Sequence, residues 1–598
     1  MQRAVAGESR WLRRAALPLA LASVGFHLWL IFSGLIPNLV SRPVHMALAL
    51  PWVFLFERRA GRFARTSGAL LCGLGLAACA WVVLRREALD AQYGALQGTL
   101  QFVIAGTLIV VVLDMARRAI KLALPSIALL ALGYGFFGQY LPGEFGHPGI
   151  PAASLLGTLT IAEGGLWGPL TGVSVNVVAV FVMLGAFVGA GRGGTGFMAL
   201  ATWLAGGLRA GAAKVAVLAS ALFGSISGSA SANVASTGAI TLPAMRRLGY
   251  PPALAAAVEA VASSGGQIMP PLMGAGAFVM VELLGLRYAD IMLAALLPAL
   301  LFFWCTWVGV DRFARALGLA AMRREDRATG AEVRASLPYF VVPFGILLGV
   351  LFLTSYTAQF AAAWAILAAA ALLFVGPGLR PEAGSGQRFL QGCIDAARQI
   401  AGIASIILCA GIVIGVLNLT GLGVKITSVI VGFSGGELWA ALLLTALACL
   451  ILGMEVPTTA AYVICVSVAG PALQELGLPA LHAHLFVFWY ALLSTITPPV
   501  CGTVFIAAGM LETPWVPVAL RAMRLGLGLY LVPLAFIANP ALVHPATAPF
   551  GALLALAKTG AGLWLVSFGL IGAGERLPLR AAALAAGLIA IFAAGVGG

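Results

Sequence analysis

The sequence predicts an all-α, polytopic membrane protein built as an inverted repeat, with two re-entrant hairpins and two helices broken at Pro-Pro pairs. Three observations carry that expectation: a composition that water cannot solvate, a succession of apolar runs of bilayer length, and two related segments whose turn charges differ.

Of 598 residues, 61% are hydrophobic and only 9% charged, with a mean hydropathy of +1.02. A soluble domain carries roughly a quarter charged residues. A chain this long and this apolar has too few polar groups to coat a water-facing surface, so lipid must cover it. The 35 Lys and Arg outnumber the 21 Asp and Glu, for a formal charge of +14. The basic residues fall in short gaps between apolar runs, as the positive-inside rule expects, and no basic stripe interleaves with aromatics. That pattern argues against nucleic-acid binding. The eight cysteines lie inside apolar runs without a CxxC pair, and read as small core residues.

Arg3, Arg10, Arg13 and Arg14 precede an apolar run at 16–36, about the length a bilayer needs. No convincing small-x-small cleavage site follows, so the expectation is a retained first helix with a cytoplasmic N-terminus in the inner membrane. Further runs at 43–57, 67–84, 97–115 and 122–141 complete an N-terminal helical domain over 1–141. Arg58, Arg59, Arg62 and Arg65 mark one cytoplasmic gap and Arg117, Arg118 and Lys121 another. The stretch 142–169, rich in Gly and Pro, reads as an extracytoplasmic loop or interfacial segment. A transporter-like core is expected over 142–541, with repeat one at about 165–310, repeat two at about 391–541 and a charged cytoplasmic linker at 311–335. A two-helix extension fills 542–598, for roughly sixteen spans in all.

The repeat is legible in two motif pairs. MRRLGYPPAL (245–254) matches LQELGLPAL (473–481), and QIMPPLMG (267–274) matches TITPPVCG (495–502), at one constant offset. The equivalent turns differ in charge, Arg246 and Arg247 in copy one against Gln474 and Glu475 in copy two. By the positive-inside rule the first turn faces the cytoplasm and the second faces out. This is the inverted topology in which secondary transporters hold their cargo between two halves.

Each copy joins a polar stretch (224–243, 453–471) to a later Pro-Pro break at Pro270-Pro271 or Pro498-Pro499. Proline removes a backbone donor and clashes with the preceding turn, so freed carbonyls and half-helix N-termini result. Irregular backbone at membrane depth is tolerated where it is buried or lines a cavity. The candidate cation ligands are therefore Ser225, Ser227, Ser229, Asn233, Gly266 and Pro270 in copy one. The backbone around Ser264 joins these in copy one; in copy two they are Thr458, Ser494 and Thr497, with Thr495 beside them. Candidate substrate contacts are Ser229, Asn233, Gln267, Glu455, Thr458, Thr459 and Thr503. The alternative for any one hydroxyl is a bond to its own i−4 carbonyl. Glu455 either binds a proton or cation or is solvated at a water-filled mouth; a carboxylate at the bilayer centre costs ~2.5–3.5 kcal/mol on insertion scales. Glu259 either supports the cation site or pairs with Arg398 or Lys425. No GxxxxGK[ST] phosphate loop and no nucleophile–base constellation occurs, so neither ATP hydrolysis nor an enzyme is expected.

ASALFGSISGSASANVASTGAITLPAMRRLGY (219–250), VEAVASSGGQIMPPLMGAGAFVM (258–280), PTTAAY (457–462) and ITPPV (496–500) resemble the membrane component of tripartite ATP-independent periplasmic (TRAP) transporters. The resemblance runs across roughly 165–540, with 1–141 similar to a fused small subunit and 545–598 to an extra C-terminal piece, as in the TAXI-type subgroup. It implies an elevator-type secondary transporter, driven by Na+ or in some members H+. It also implies a TAXI-type periplasmic binding protein that delivers a small organic acid such as a dicarboxylate, 2-oxo acid or glutamate. Two departures stand near the expected site: Glu455 replaces a small residue, and Cys501, Gly502 and Thr503 replace a run of alanines. A monomer in lipid is expected, because the fused small subunit would cover an oligomerising surface. The competing reading is a cation-coupled anion transporter or passive pore that works without a binding protein. In a background lacking the eight native cysteines, Arg246→Cys should react with an impermeant maleimide only from the cytoplasmic side, and Gln474→Cys only from outside. Labelling of both from one side would refute the inversion.

Overall fold

A computed structural model describes residues 10–56, 62–377, 380–454, 456–571 and 575–593. Among them the chain is helical throughout, with one isolated β-bridge between Val375 and Pro381 and no strand. This is a multi-pass membrane protein. Among the described residues eight helices are long and apolar enough to cross a bilayer, or nine if the bent pair Arg324–Ser336 and Pro338–Leu353 forms one span. The sixteen apolar runs thus resolve into fewer full-length helices and several of 10–17 residues. The physical reason lies in runs such as 253–286 and 480–511, which prolines and glycines cut into two shorter helices.

The chain forms two compact units. The first comprises residues up to Gly191 with Gly345–Ala441 and Val463–Leu476. Its axis is Ser385–Thr420, a helix of 36 residues. Arg10–Phe32, Asn38–Phe54, Gly98–Ile120, Ala123–Phe137 and Ala179–Ala190 all pack on it. The axis buries Ala396, Ala397, Ala401, Ala404, Gly411 and Gly415, small residues that let neighbouring backbones approach closely.

The stretch 142–169, expected as a loop or interfacial segment, is partly helical and packs inward at its C-terminal end. Ala152–Thr160 is helical, and Ile161, Leu166 and Trp167 are wholly buried. Gly411 and Gly415 make room for it: a Cβ on Gly415 would lie 2.6 Å from the Gly164 carbonyl, and one on Gly411 2.9 Å from that of Gly165. Its charges are answered too. Glu163 accepts a hydrogen bond from Asn38 at 2.8 Å and pairs with Arg42 at 3.5 Å, while Arg42 also donates to the Trp167 carbonyl. A buried chain then runs from the Ser23 carbonyl through His27 and His45 to Ser174, with steps of 2.7, 2.7 and 3.0 Å. It ties the first two helices to the π-turn Ser174–Val178.

The second unit comprises Arg192–Phe344, Leu442–Tyr462 and the residues from Gly477 onward. Gly211–Ser227 and Ala230–Arg247 form a helical hairpin, on which Pro252–Gly265 packs. Tyr288–Leu317, Trp515–Ala538 and Pro549–Ile571 support this group, with Leu577–Phe592 against the last. The helix Tyr288–Leu317 runs through Asp311, Arg312 and Arg315, so the expected linker opens with helical charges rather than loop ones. Asp311 is held by Lys214 and Arg315, each at 2.9 Å. That buried Lys214, 6% exposed, explains why the acid falls inside a helix.

Gly415→Val should lower the melting midpoint of the purified protein by an amount worth about 2 kcal/mol, the usual cost of overpacking a tight core. Gly402→Ala, on the same helix where an added Cβ meets nothing within 4 Å, should leave it unchanged.

Candidate functional site

The site is assembled where helices of the second unit stop and restart. Gly211–Ser227 ends at Gly228, whose φ of +59° turns the chain. The next helix opens at Ser229, whose Oγ accepts from the Ala232 amide at 3.3 Å. This is the usual N-cap, which satisfies an amide the helix cannot. Pro252–Gly265 passes through a 3₁₀ turn (Gly266–Ile268) and a cis Pro270-Pro271 bond before restarting at Ala275. The second copy repeats the sequence of events: Ala480–Leu493, Ser494–Ile496, cis Pro498-Pro499, then Gly502–Met510. Gly228 and Gly274 lie side by side: a Cβ on either would fall 3.3–3.6 Å from the other's backbone. The starts of Ala230–Arg247 and Ala275–Leu284 therefore meet, and their amide dipoles favour negative charge there.

Asn233 is the best-determined member. It is fully buried, and its Nδ2 donates to the Ser220 carbonyl at 2.9 Å and the Ser263 carbonyl at 3.2 Å. Two carbonyl acceptors identify that end as nitrogen, so Oδ1 points the other way. Oδ1 is buried and has no hydrogen-bond partner among the described residues. Buried polar atoms are nearly always satisfied, so an oxygen left over is where a cation or water belongs. Gly266 lies against it, since a Cβ there would stand 2.8 Å from Asn233 Nδ2 and 3.0 Å from the Ser220 carbonyl.

The two copies touch in this unit. Ser264 Oγ lies 3.1 Å from Thr495 Oγ1, which places the two helix breaks together. Gly453 backs directly on Ser494: a Cβ on Gly453 would lie 2.7 Å from Ser494 Cβ.

The hydroxyls mostly donate to nearby carbonyls. Ser225 donates to Leu222 and Ser494 to Ala491, both at 2.7 Å. Thr497 lies 2.7 Å from the Leu493 carbonyl and 2.6 Å from the Tyr530 hydroxyl. Thr503 is buried and donates to the Thr495 carbonyl at 2.8 Å. Ser227 makes a long contact of 3.4 Å to the Ser229 carbonyl. A hydroxyl whose hydrogen is so engaged still presents oxygen lone pairs, which is what a hard cation takes. Gln267 and Thr458 are buried, Thr459 and Pro270 half-buried, and Ser229 exposed. Glu455 lies outside the described residues.

Glu259 does not pair with either base considered for it. Arg398 lies over the Trp52 ring at 5.6 Å, and Lys425 donates to the Gly146 carbonyl at 2.5 Å. Glu259 is instead caged by Thr237, Thr241 and Ser263. These threonines and Ser220 escaped the sequence reading. The available signal was spacing: Asn233, Thr237 and Thr241 recur every fourth residue, as do Glu259 and Ser263, which puts each set on one helix face.

Residues 107–549 match the family described as tripartite ATP-independent periplasmic transporter, DctM component. The chain belongs to that family. A C4-dicarboxylate TRAP transporter large permease protein DctM of Pseudomonas aeruginosa is 28% identical over 346 residues, covering 56% of this chain and 77% of that one. The isethionate TRAP transporter permease protein DctMQ of Oleidesulfovibrio alaskensis is 24% identical over 339 residues, 56% of this chain and 52% of that one. The hairpin, both breaks and the hydroxyl cage of this DctM-family permease all fall within the matched residues. Asn233→Ala should cost about 2 kcal/mol in the melting midpoint, since two buried hydrogen bonds are lost. An unchanged midpoint would show that its amide does not tie these helices together.

Proposed function

We propose that this permease imports a small organic acid by secondary active transport, with Na+ as the coupling ion and a TAXI-type periplasmic binding protein as the donor of substrate. The observation that carries the reading is Asn233 Oδ1, a buried oxygen without a partner among the described residues, beside the helix break of a TRAP-family core. Asn233, Ser225, Ser227, Ser229, Gly266 and Pro270 would hold one Na+, and Thr458, Ser494 and Thr497 another. All supply oxygen, the donor a hard cation prefers. The ions are cargo, released with the substrate.

The substrate's carboxylate suits the paired helix starts at Ser229 and Gly274, where unsatisfied amides and the dipoles favour an anion. Gln267, Thr458, Thr459, Thr503 and Glu455 complete the proposed contacts. The printed substrates of two relatives, a C4-dicarboxylate and isethionate, are both small organic anions, which supports the class without choosing a member. Membership of a tripartite family supports the periplasmic partner. The division into two compact units, with the helix breaks of both copies in one of them, supports an elevator in which that unit moves as a body.

Na+ that binds only the folded protein should stabilise it by RT ln(1 + [L]/Kd), about 2.7 kcal/mol at a hundredfold excess over Kd. The melting midpoint should therefore rise in NaCl over choline chloride at equal ionic strength, and the rise should shrink in Ser229→Ala and Thr458→Ala. In proteoliposomes, uptake of a labelled dicarboxylate or 2-oxo acid should require both the inward Na+ gradient and the binding protein. Equal uptake without the binding protein and without a gradient would favour a passive pore.

A further inference from the structure

Glu259 is wholly buried in Pro252–Gly265, and among the described residues no Lys, Arg or His forms an ion pair with it. Its surroundings are hydroxyl. Thr237 Oγ1 donates to Oε1, Thr241 Oγ1 lies 2.5 Å from Oε2, and Ser263 Oγ lies 3.2 Å from Oε1. Ser220 Oγ closes the ring at 3.4 Å from Thr237 and 3.3 Å from Ser263. A charge without a countercharge at membrane depth costs several kcal/mol, and such a residue has a task by default.

The count of hydrogens shows what the cage permits. Each threonine hydroxyl carries one hydrogen and has two acceptors in reach. Thr237 Oγ1 is 2.8 Å from the Asn233 carbonyl, and Thr241 Oγ1 is 3.0 Å from the Thr237 carbonyl. With Glu259 anionic, both hydroxyls donate to the carboxylate. With Glu259 neutral, Thr241 turns its hydrogen to the Thr237 carbonyl and accepts the acid's own hydrogen. Both charge states are hydrogen-bonded without moving a heavy atom, whereas an arginine partner would satisfy only one.

Thr241 also lines a cavity of about 410 Å³ whose wall includes Arg247, Glu325, Asp326, Arg327 and Glu332. These charges belong to the turn and gap that the positive-inside rule assigns to the cytoplasm. Thr241 thus touches the buried acid on one side and a cavity with charged walls on the other. The other charged groups on helices packed around Glu259 do not pair with it. Lys214 and Arg315 hold Asp311. Arg312 lies over the Trp564 and Phe568 rings. Arg246, Arg521 and Arg524 form no ion pair with Glu259 among the described residues, nor do His482 and His484 on Ala480–Leu493, where His484 bonds Tyr462. Tyr530 is engaged by Thr497, and Tyr490 by the Tyr530 carbonyl.

We infer that Glu259 is a proton-binding site that exchanges with the cytoplasmic side through Thr241 and this cavity. In the release step the Glu259 O–H bond breaks and its hydrogen passes to Thr241 Oγ1. At the same time the hydroxyl's own hydrogen passes to a cavity water, leaving a carboxylate, a neutral threonine and a hydronium ion. Loading is the reverse. A role for that proton in driving import rests on the transport reading above; the binding site itself does not.

The test is infrared difference spectroscopy of the full-length protein in nanodiscs across a pH step. The wild type should show a carboxylic-acid carbonyl band that follows pH, lost in Glu259→Gln and shifted in frequency in Thr241→Val. Glu259→Asp, which keeps an acid at the position, should retain a titrating band at a new frequency. That variant serves if Glu259→Gln fails to fold. A wild type with no titrating carboxylic-acid band, or a band identical in Glu259→Gln or in Glu259→Asp, overturns the inference. A titrating Glu259 band in a protein that Na+ does not stabilise and that takes up no acid would remove the import reading and leave the proton site standing. A Na+-stabilised protein that imports but whose spectrum ignores Glu259→Gln would do the opposite.

Discussion

The amide of Asn233 holds the hairpin and the first broken helix in one arrangement. Its two hydrogens reach the Ser220 carbonyl within the hairpin and the Ser263 carbonyl on the broken helix, so the hairpin cannot slide past the break without giving up the Ser263 bond. Hydrocarbon offers nothing in return for a lost hydrogen bond, which makes such a tie stronger in effect than its count suggests. The close approach of Gly224 and Gly266 is possible because neither carries a Cβ, and it is what brings the asparagine within reach. The oxygen end of the same side chain is then left facing inward without a partner. One residue therefore both ties the helices and turns a carbonyl oxygen away from them.

The two copies use related means with different chemistry. At the position where copy one places Gly266 against Gly224, copy two sets Ser494 against Gly453. Copy one is tied by Asn233, whereas the corresponding residue of copy two is Ala461, and the neighbouring Tyr462 bonds His484 at 2.9 Å instead. The breaks share their 3₁₀ turns, and the contact of Ser264 with Thr495 joins them. A repeat of this kind does not require equal sites, only backbones that stop and restart in the same place. The first unit contains the opposite kind of element, a continuous helix of 36 residues on which the N-terminal helices pack through alanine and glycine.

Much of this was legible. Pro-Pro pairs and matched glycines marked the breaks and their repetition, because proline and glycine act locally and leave the same trace in any context. The small hydroxyl residues at 225–229, 458–459 and 494–497 marked where polar atoms enter an apolar core. The cage around Glu259 was less accessible: spacing showed that Thr237 and Thr241 share a face, but not which neighbouring helix that face meets. The burial of Ile161, Leu166 and Trp167 was also hidden, because Gly164 and Gly165 resemble loop punctuation until Gly411 and Gly415 are found opposite them.

The sequence by itself determined the class of protein, the places where its helices fail and the family to which they point. Those properties depend on composition, on backbone chemistry and on residues near one another along the chain. The tertiary structure decided which oxygen is left without a partner, which hydroxyls surround the buried acid and which glycines let two backbones touch. Each of these depends on the rotation and depth of one helix against another. A shift of one residue turns a side chain by about 100° around its helix, which leaves the amino-acid pattern readable while exchanging every partner.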